Sequence, residues 1–146
     1  SEKIVYLDLD YIIANSNKGK QILSQLEKIN SENISLIKSK EEMLKKEEKK
    51  IINQKKIITE EMFNQKVKDL KNKIENLKSE KRNMAKSFKS TRENNIKDFI
   101  KLVEKILQEY VKDESIDLVL NKKNILMGKN QYNITNNILE KVNQLK

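Results

Sequence analysis

Apolar residues recur at helical spacing through most of this chain and at strand spacing only near its two ends. Ile4-Val5-Tyr6-Leu7-Asp8-Leu9-Asp10 alternates, with Val5, Leu7 and Leu9 on one face and Tyr6, Asp8 and Asp10 on the other, and predicts a strand. Tyr11 to Ala14 reads as a helical turn. Asn15-Ser16-Asn17-Lys18-Gly19-Lys20 then breaks it, with Ser16 or Asn17 suited to cap the next helix. From about Lys18 to about Lys56, Leu23, Leu26, Ile37, Leu44, Ile51 and Ile58 fall on a heptad-like seam. Ile22, Ile29, Leu36, Met43 and Ile57 form a second stripe beside it. Asn30, Asn33, Lys40, Glu47 and Gln54 hold the remaining seam positions, so the seam is interrupted by polar residues.

Thr59-Glu60-Glu61-Met62 has the form of a helix start, because threonine accepts free backbone N–H groups and the two acids suit the positive end of the helix dipole. The reversal is therefore expected between about Lys55 and Glu60. The returning helix carries Phe63, Val67, Leu70, Ile74, Leu77, Met84 and Phe88 at spacings of three, four or seven. Folding about that turn sets Leu44 near Leu70, Ile51 near Phe63 and Ile37 near Leu77. The prediction is a long antiparallel helical hairpin, uninterrupted because the chain has no proline and no glycine between Gly19 and Gly128.

The second arm, Thr59 to Asp113, outruns the first, Ser16 to Ile58, by twelve residues, or about three turns. The overshoot is strongly apolar. Ile96, Phe99, Ile100, Leu102, Val103, Ile106, Leu107, Tyr110 and Val111 cover more than one face and are expected to pack on the strand-forming ends. Ile116-Asp117-Leu118-Val119-Leu120, the turn Asn121 to Asn124, and Ile125-Leu126-Met127 closed by Gly128 read as a β-hairpin. Ile134, Ile138, Leu139, Val142 and Leu145 mark a short C-terminal helix. The fold class is thus α+β, mostly α: residues 1–17 and 114–146 form a small strand-rich body, and residues 18–113 form the arm, with its tip near 55–60 and residues 96–113 against the body. Three short strands with exposed edges are marginal alone, which points to oligomerisation. Val5, Leu7, Leu9, Ile116, Leu118 and Leu120 are the expected interface.

Composition narrows the function. Only 36% of residues are hydrophobic and 36% are charged, which favours extended helices burying one stripe over a large globular core. Histidine and cysteine are both absent, removing the usual general base, the usual nucleophile and the commonest transition-metal ligands. No phosphate loop, nucleophile elbow or zinc spacing occurs, so the chain does not read as an enzyme and no cofactor is expected. The acid pairs Glu41-Glu42, Glu47-Glu48 and Glu60-Glu61 point about a hundred degrees apart on a helix and do not converge on one ion. Asp8 and Asp10 share the predicted strand face, where solvated polarity is the simpler reading than shared-proton chemistry. No apolar run approaches the length of a membrane span, which predicts a soluble chain.

The net charge is +9, and nearly all of it lies in residues 38–93, where eighteen Lys or Arg face ten acids. A lysine-rich arm is first of all a solvated face, and a heptad stripe is first of all a helix seam. The functional reading of the same residues is a charged, partly apolar surface. Lys45, Lys46, Lys49, Lys50, Ile52 and Ile57 on the first arm, with Met62 and Lys66 near the tip, are its candidate binding residues. A nucleic-acid binder would use such a basic arm for phosphates, but Arg82 and Arg92 are the only arginines and aromatics are few there. A structural coiled-coil spacer would explain the arms and leave the terminal strands without a purpose.

Lys3-Ile4-Val5-Tyr6-Leu7-Asp8-Leu9, Ser16-Asn17-Lys18-Gly19-Lys20, the Thr-Glu-Glu hairpin start, Ile116-Asp117-Leu118-Val119-Leu120 and Asn133-Ile134-Thr135 before a last helix occur in that order. Together they resemble the OmpH/Skp family of periplasmic chaperones over essentially the whole chain. The arms here are richer in Lys and Asn, and Asn133 stands where an acid often precedes the Ile-Thr pair. The resemblance implies a periplasmic protein whose export signal has been removed, forming a homotrimer whose strands build a central β-barrel. Its coiled-coil tentacles would surround a cavity for unfolded outer-membrane proteins. It implies an ATP-independent holdase, with an anionic membrane surface or lipopolysaccharide as a further partner and no nucleic acid.

Overall fold

The computed structural model describes residues 1–145. In chain order it comprises β1 (Ile4–Leu7), α1 (Leu9–Asn15), α2 (Asn17–Gln54), α3 (Glu60–Asp113), β2 (Leu118–Asn121), two short 3-10 turns (Lys122–Asn124 and Asn130–Tyr132) and α4 (Thr135–Asn143). The chain divides into two compact units. One is made of Ser1–Leu26 with Arg92–Lys146, the other of Glu27–Thr91.

In the first unit β1 and β2 pair in parallel, with Ile4 opposite Leu118, Val5 opposite Val119, Tyr6 opposite Leu120 and Leu7 opposite Asn121. Parallel strands need a long crossover, and here α1, α2 and α3 supply it. Val5 and Leu7 point into a core with Ile12, Phe99, Val103, Ile116, Ile134, Ile138 and Val142. Phe99 and Val103 bring the apolar end of α3, and Ile138 and Val142 bring one face of α4. The Tyr6 hydroxyl is turned the other way, 3.1 Å from the Lys129 carbonyl it donates to.

The strand is shorter than its alternation predicts. It stops at Leu7, and Asp8 becomes the N-cap of α1, its Oδ1 accepting the Tyr11 N–H at 3.0 Å. Capping wins because aspartate satisfies an orphan helix donor and its charge suits the dipole. Asp8 and Asp10 therefore do not share a strand face, and the basis for shared-proton chemistry is gone. The expected hairpin is also absent. Ile125-Leu126-Met127 is not a strand; after β2 the chain enters a 3-10 turn, and Leu126 and Met127 stand almost fully exposed. Asn121 to Asn124 contains no glycine for the left-handed positions of a tight hairpin turn, and the chain forms the 3-10 turn Lys122–Asn124 there instead.

Ser16 joins α1 to α2. Its N–H donates to the Ile12 carbonyl, and its hydroxyl accepts the Gly19 N–H at 3.0 Å, satisfying the last turn of one helix and the first of the next. The residue is wholly buried. Gly19 has to lack a side chain because a Cβ there would collide with the Ile13 carbonyl and crowd the Ser16 hydroxyl. At the end of α3, Ser115 adopts φ 51°, and the Ile116 N–H reaches back to the Val111 carbonyl at 2.9 Å. This left-handed cap ends the helix and drops Ile116 into the core beside Val111.

In the second unit α2 and α3 run antiparallel. The Ile58 N–H still bonds the Gln54 carbonyl in helical fashion, so the reversal comes late, at Ile58–Thr59. Thr59 caps α3 through its Oγ1, which accepts the Met62 N–H at 3.2 Å. Leu44 shares a cleft with Leu77, and Ile37 shares one with Met84. The expected pairs of Leu44 with Leu70 and Ile37 with Leu77, and with them Ile51 with Phe63, are displaced by one heptad. A seven-residue repeat fixes the seam and leaves the register along it open, and the late reversal shifts it.

Two glycine exchanges test these junctions by thermal unfolding. Ser115→Gly removes the cost of a left-handed non-glycine residue and is expected to stabilise the chain by about 1 kcal/mol. Gly19→Ala forces α1 from α2 and is expected to destabilise it by roughly 1–3 kcal/mol, as overpacking does.

Candidate functional site

The helical unit carries most of the candidate binding residues, and three of its polar seam positions, Lys40, Glu47 and Gln54, are paired across the helices. Lys66 Nζ donates to Gln54 Oε1 at 3.0 Å, Lys73 Nζ to Glu47 Oε1 at 2.9 Å, and Lys40 Nζ to Glu80 Oε1 at 2.6 Å. Each rung lies seven residues from the next on both helices. Lys81 adds a bond to Glu41 at 2.9 Å on the neighbouring flank. Lys40, Glu47 and Gln54, which look like gaps in the sequence pattern, are thus rungs of a cross-helix ladder.

Lys45, Lys46, Lys49 and Lys50 are exposed, as are Ile52 at 59%, Ile57 at 81% and Met62 at 51%. Lys66 differs. It is half-buried and committed to Gln54, so it belongs to the ladder rather than to a free surface. Lys46 and Lys50 line one cleft with Glu47, Ile51, Asp69 and Lys73, where acids offset part of their charge. Lys55 is drawn over the Phe63 ring, 5.4 Å from its centroid. The structure adds Ile34, Leu36 and Met43, all exposed large apolar side chains of α2. Leu36 and Met43 belong to the second heptad stripe, so the signal for them was the stripe lying beside the seam.

The expected interface residues do not form one surface. Val5, Leu7 and Ile116 are buried in the chain's own core, and Leu9 packs against it. A single chain covers them through α1, α3 and α4, which the strand pattern alone did not reveal. Leu118 and Leu120 remain exposed, with Ile4 beside them on the paired strand. Among the described residues nothing pairs with the far edge of β2.

Near the start of α4, Asp8, Tyr11, Lys122, Asn130, Asn133, Thr135 and Asn136 line a polar cleft. Its groups largely satisfy one another: the Asp8 N–H donates to Thr135 Oγ1 at 2.9 Å, the Thr135 N–H donates to Asn133 Oδ1, and Lys122 lies 3.9 Å from Asp8. On α3 the Tyr110 phenol is pushed above its ordinary range, by burial first and by Glu114 second. Lys141 sits over its ring. Among the described residues no three of Asp and Glu gather as a metal site, and no helix is long and apolar enough to cross a membrane.

These features define a helical-hairpin protein that presents extended charged and apolar surfaces, joined in sequence to a small unit built on two parallel strands. The chain belongs to the OmpH-like outer membrane protein family, whose pattern it matches over residues 3–142. Its fold is similar to that of a Caulobacter crescentus protein described as an OmpH-like outer membrane chaperone, with a TM-score of 0.91 over 98% of this chain and 85% of that one, at 13% identity. No curated protein matches the chain.

Adjacent isoleucines separate seam from surface. Ile51 is 5% exposed and Ile52 is 59% exposed. Ile51→Ala is expected to destabilise the hairpin by about 2 kcal/mol or more, whereas Ile52→Ala is expected to stay within about 0.5 kcal/mol. Chemical denaturation of the two variants measures the difference.

Proposed function

We propose that this protein is an ATP-independent holdase chaperone of the periplasm, which keeps unfolded outer-membrane proteins from aggregating by holding them between the helical arms of an oligomer. The observation that carries the reading is family membership over residues 3–142, together with exposed lysines interleaved with exposed Ile52, Ile57, Met62, Leu36 and Met43 on one helical unit. Lysines attract acidic clients over a distance set by salt, and scattered apolar side chains hold them by many weak contacts. Neither makes a deep pocket. A client held this way stays mobile and leaves when folding into a membrane lowers its free energy, with no nucleotide required.

The proposed assembly is a homotrimer joined through the strands. Exposed Leu118 and Leu120, exposed Ile4 and the unpaired edge of β2 support this reading, because an apolar strand edge is stabilised by pairing with another chain. The interface is accordingly assigned to Leu118, Leu120 and Ile4, while Val5, Leu7 and Ile116 support it from inside each chain.

Two experiments test the proposal. Reversing Lys45, Lys46, Lys49 and Lys50 to Glu is expected to slow association with an unfolded, acidic outer-membrane protein in stopped-flow mixing, and added salt is expected to slow the unaltered protein likewise. Rates unmoved by both would reject electrostatic capture. Leu118→Asp is expected to dissociate the assembly in light scattering while leaving the helical circular-dichroism signal intact, whereas Ile116→Asp, placed in the core, is expected to unfold the chain. A Leu118→Asp variant that keeps the mass of the unaltered protein would remove β2 from the interface.

A further inference from the structure

The apolar seam of the helical unit does not by itself select one alignment. Ile37, Leu44 and Ile51 repeat every seven residues on α2, and Phe63, Leu70, Leu77 and Met84 repeat every seven on α3. Sliding one helix past the other by a heptad again sets most apolar side chains opposite apolar side chains, though the slip that brings Leu44 to Met84 leaves Ile37 opposite Thr91. Leu44 meets Leu77 as observed, Leu70 after a slip one way, and Met84 after a slip the other way.

The ladder distinguishes the three. In the observed alignment Lys40 meets Glu80 and Glu47 meets Lys73. A slip that brings Leu44 to Leu70 moves Lys40 opposite Lys73. The opposite slip, which brings Leu44 to Met84, moves Glu47 opposite Glu80. Either error creates a like-charge rung and loses attraction: the first slip keeps one attractive rung, Glu47 opposite Lys66, beside the repulsive one, and the second keeps none of the two observed Lys–Glu rungs. Each rung is about half exposed, so each adds little to stability in isolation. Its effect lies in the difference between alignments, where attraction is replaced by repulsion.

We propose that Lys40, Glu47, Lys73 and Glu80 form a charge code that helps select the register of the α2–α3 hairpin from three alignments that each set most of the apolar seam opposite apolar residues. Register decides where the chain reverses, and thereby which residues crown the turn. With the code read as observed, the reversal falls at Ile58–Thr59 and leaves Ile57 outside, 81% exposed. The interrupted seam is therefore a specifying device, and the polar residues that break the apolar pattern carry the information that the pattern lacks.

The chain has no cysteine, so introduced pairs report register without interference. Leu44→Cys is combined in turn with Leu77→Cys, Leu70→Cys and Met84→Cys, and disulfide formation is measured under mild oxidation. In the otherwise unaltered protein the 44–77 pair is expected to cross-link at least tenfold faster than the other two. Replacing Lys40, Glu47, Lys73 and Glu80 together by Gln removes the code without adding repulsion, and 44–70 or 44–84 cross-links are expected to appear beside 44–77. Exchanging the charges on α2 alone, Lys40→Glu with Glu47→Lys, is expected to suppress 44–77. Adding Lys73→Glu with Glu80→Lys is expected to restore it. If the glutamine variant, folded by circular dichroism, still forms only 44–77, the turn and its Thr59 cap set the register and the proposal is overturned. Should the α2 exchange fail to fold, the glutamine variant decides the matter alone.

Discussion

Everything in the first unit depends on a pairing across a large sequence gap: β1 lies parallel to β2 with the 110 residues from Asp8 to Asp117 between them. A parallel ladder requires the chain to travel back to its starting end before the second strand begins. The helices satisfy that requirement by reversing once, at Ile58–Thr59. Closing so long a loop is entropically unfavourable for the isolated strand pair. The helical reversal lowers that cost by replacing a flexible connection with two cooperative rods. The strand pair thus follows from the hairpin, and the core around Val5, Leu7 and Phe99 follows from the strand pair.

Much of this was legible in the sequence. The two long helices follow from their period and from the absence of proline and interior glycine, the start of α3 from Thr59 and its acids, and α4 from Ile134, Ile138 and Val142. The parts that were not legible share a cause: a local pattern admitted more than one solution and a distant contact chose. Asp8 fits an alternating strand and also a helix cap, and the bond to Tyr11 decides. Ile125 to Met127 has strand composition, yet the chain enters a 3-10 turn after β2 and leaves Leu126 and Met127 exposed. The heptads of α2 and α3 match in several alignments, and the observed one, with its ladder Gln54–Lys66, Glu47–Lys73 and Lys40–Glu80, is not written in the apolar pattern. For the candidate surface, the sequence located the exposed lysines and Ile52, Ile57 and Met62. It did not separate them from Lys66, whose bond to Gln54 is a cross-helix contact.

The same contrast organises the chemistry. In the helical unit the half-buried charges are paired between helices, and the lysines outside those pairs lie exposed. The chain carries neither histidine nor cysteine. It has ample means of weak, reversible adhesion: long flexible cations whose hydrocarbon stems lie along a helix, with methionine and isoleucine between them. Met43 and Met62 are suited to such a surface because an unbranched thioether adapts to many shapes. Such a surface favours breadth over selectivity, which is what the proposed holding of unfolded chains requires.

The core of the first unit has one further consequence, which concerns time. Three of its nine residues, Val5, Ile12 and Leu7, lie within the first twelve, and the other six lie between Phe99 and Val142. A chain delivered from its N-terminus, from a ribosome or through a translocation pore, presents β1 and α1 long before the residues that cover them exist on the same side. During that interval an apolar strand stands uncovered, in the same condition as the clients proposed here. In the proposed role, a holder of unfolded proteins built this way would itself pass through a stage in which it benefits from being held.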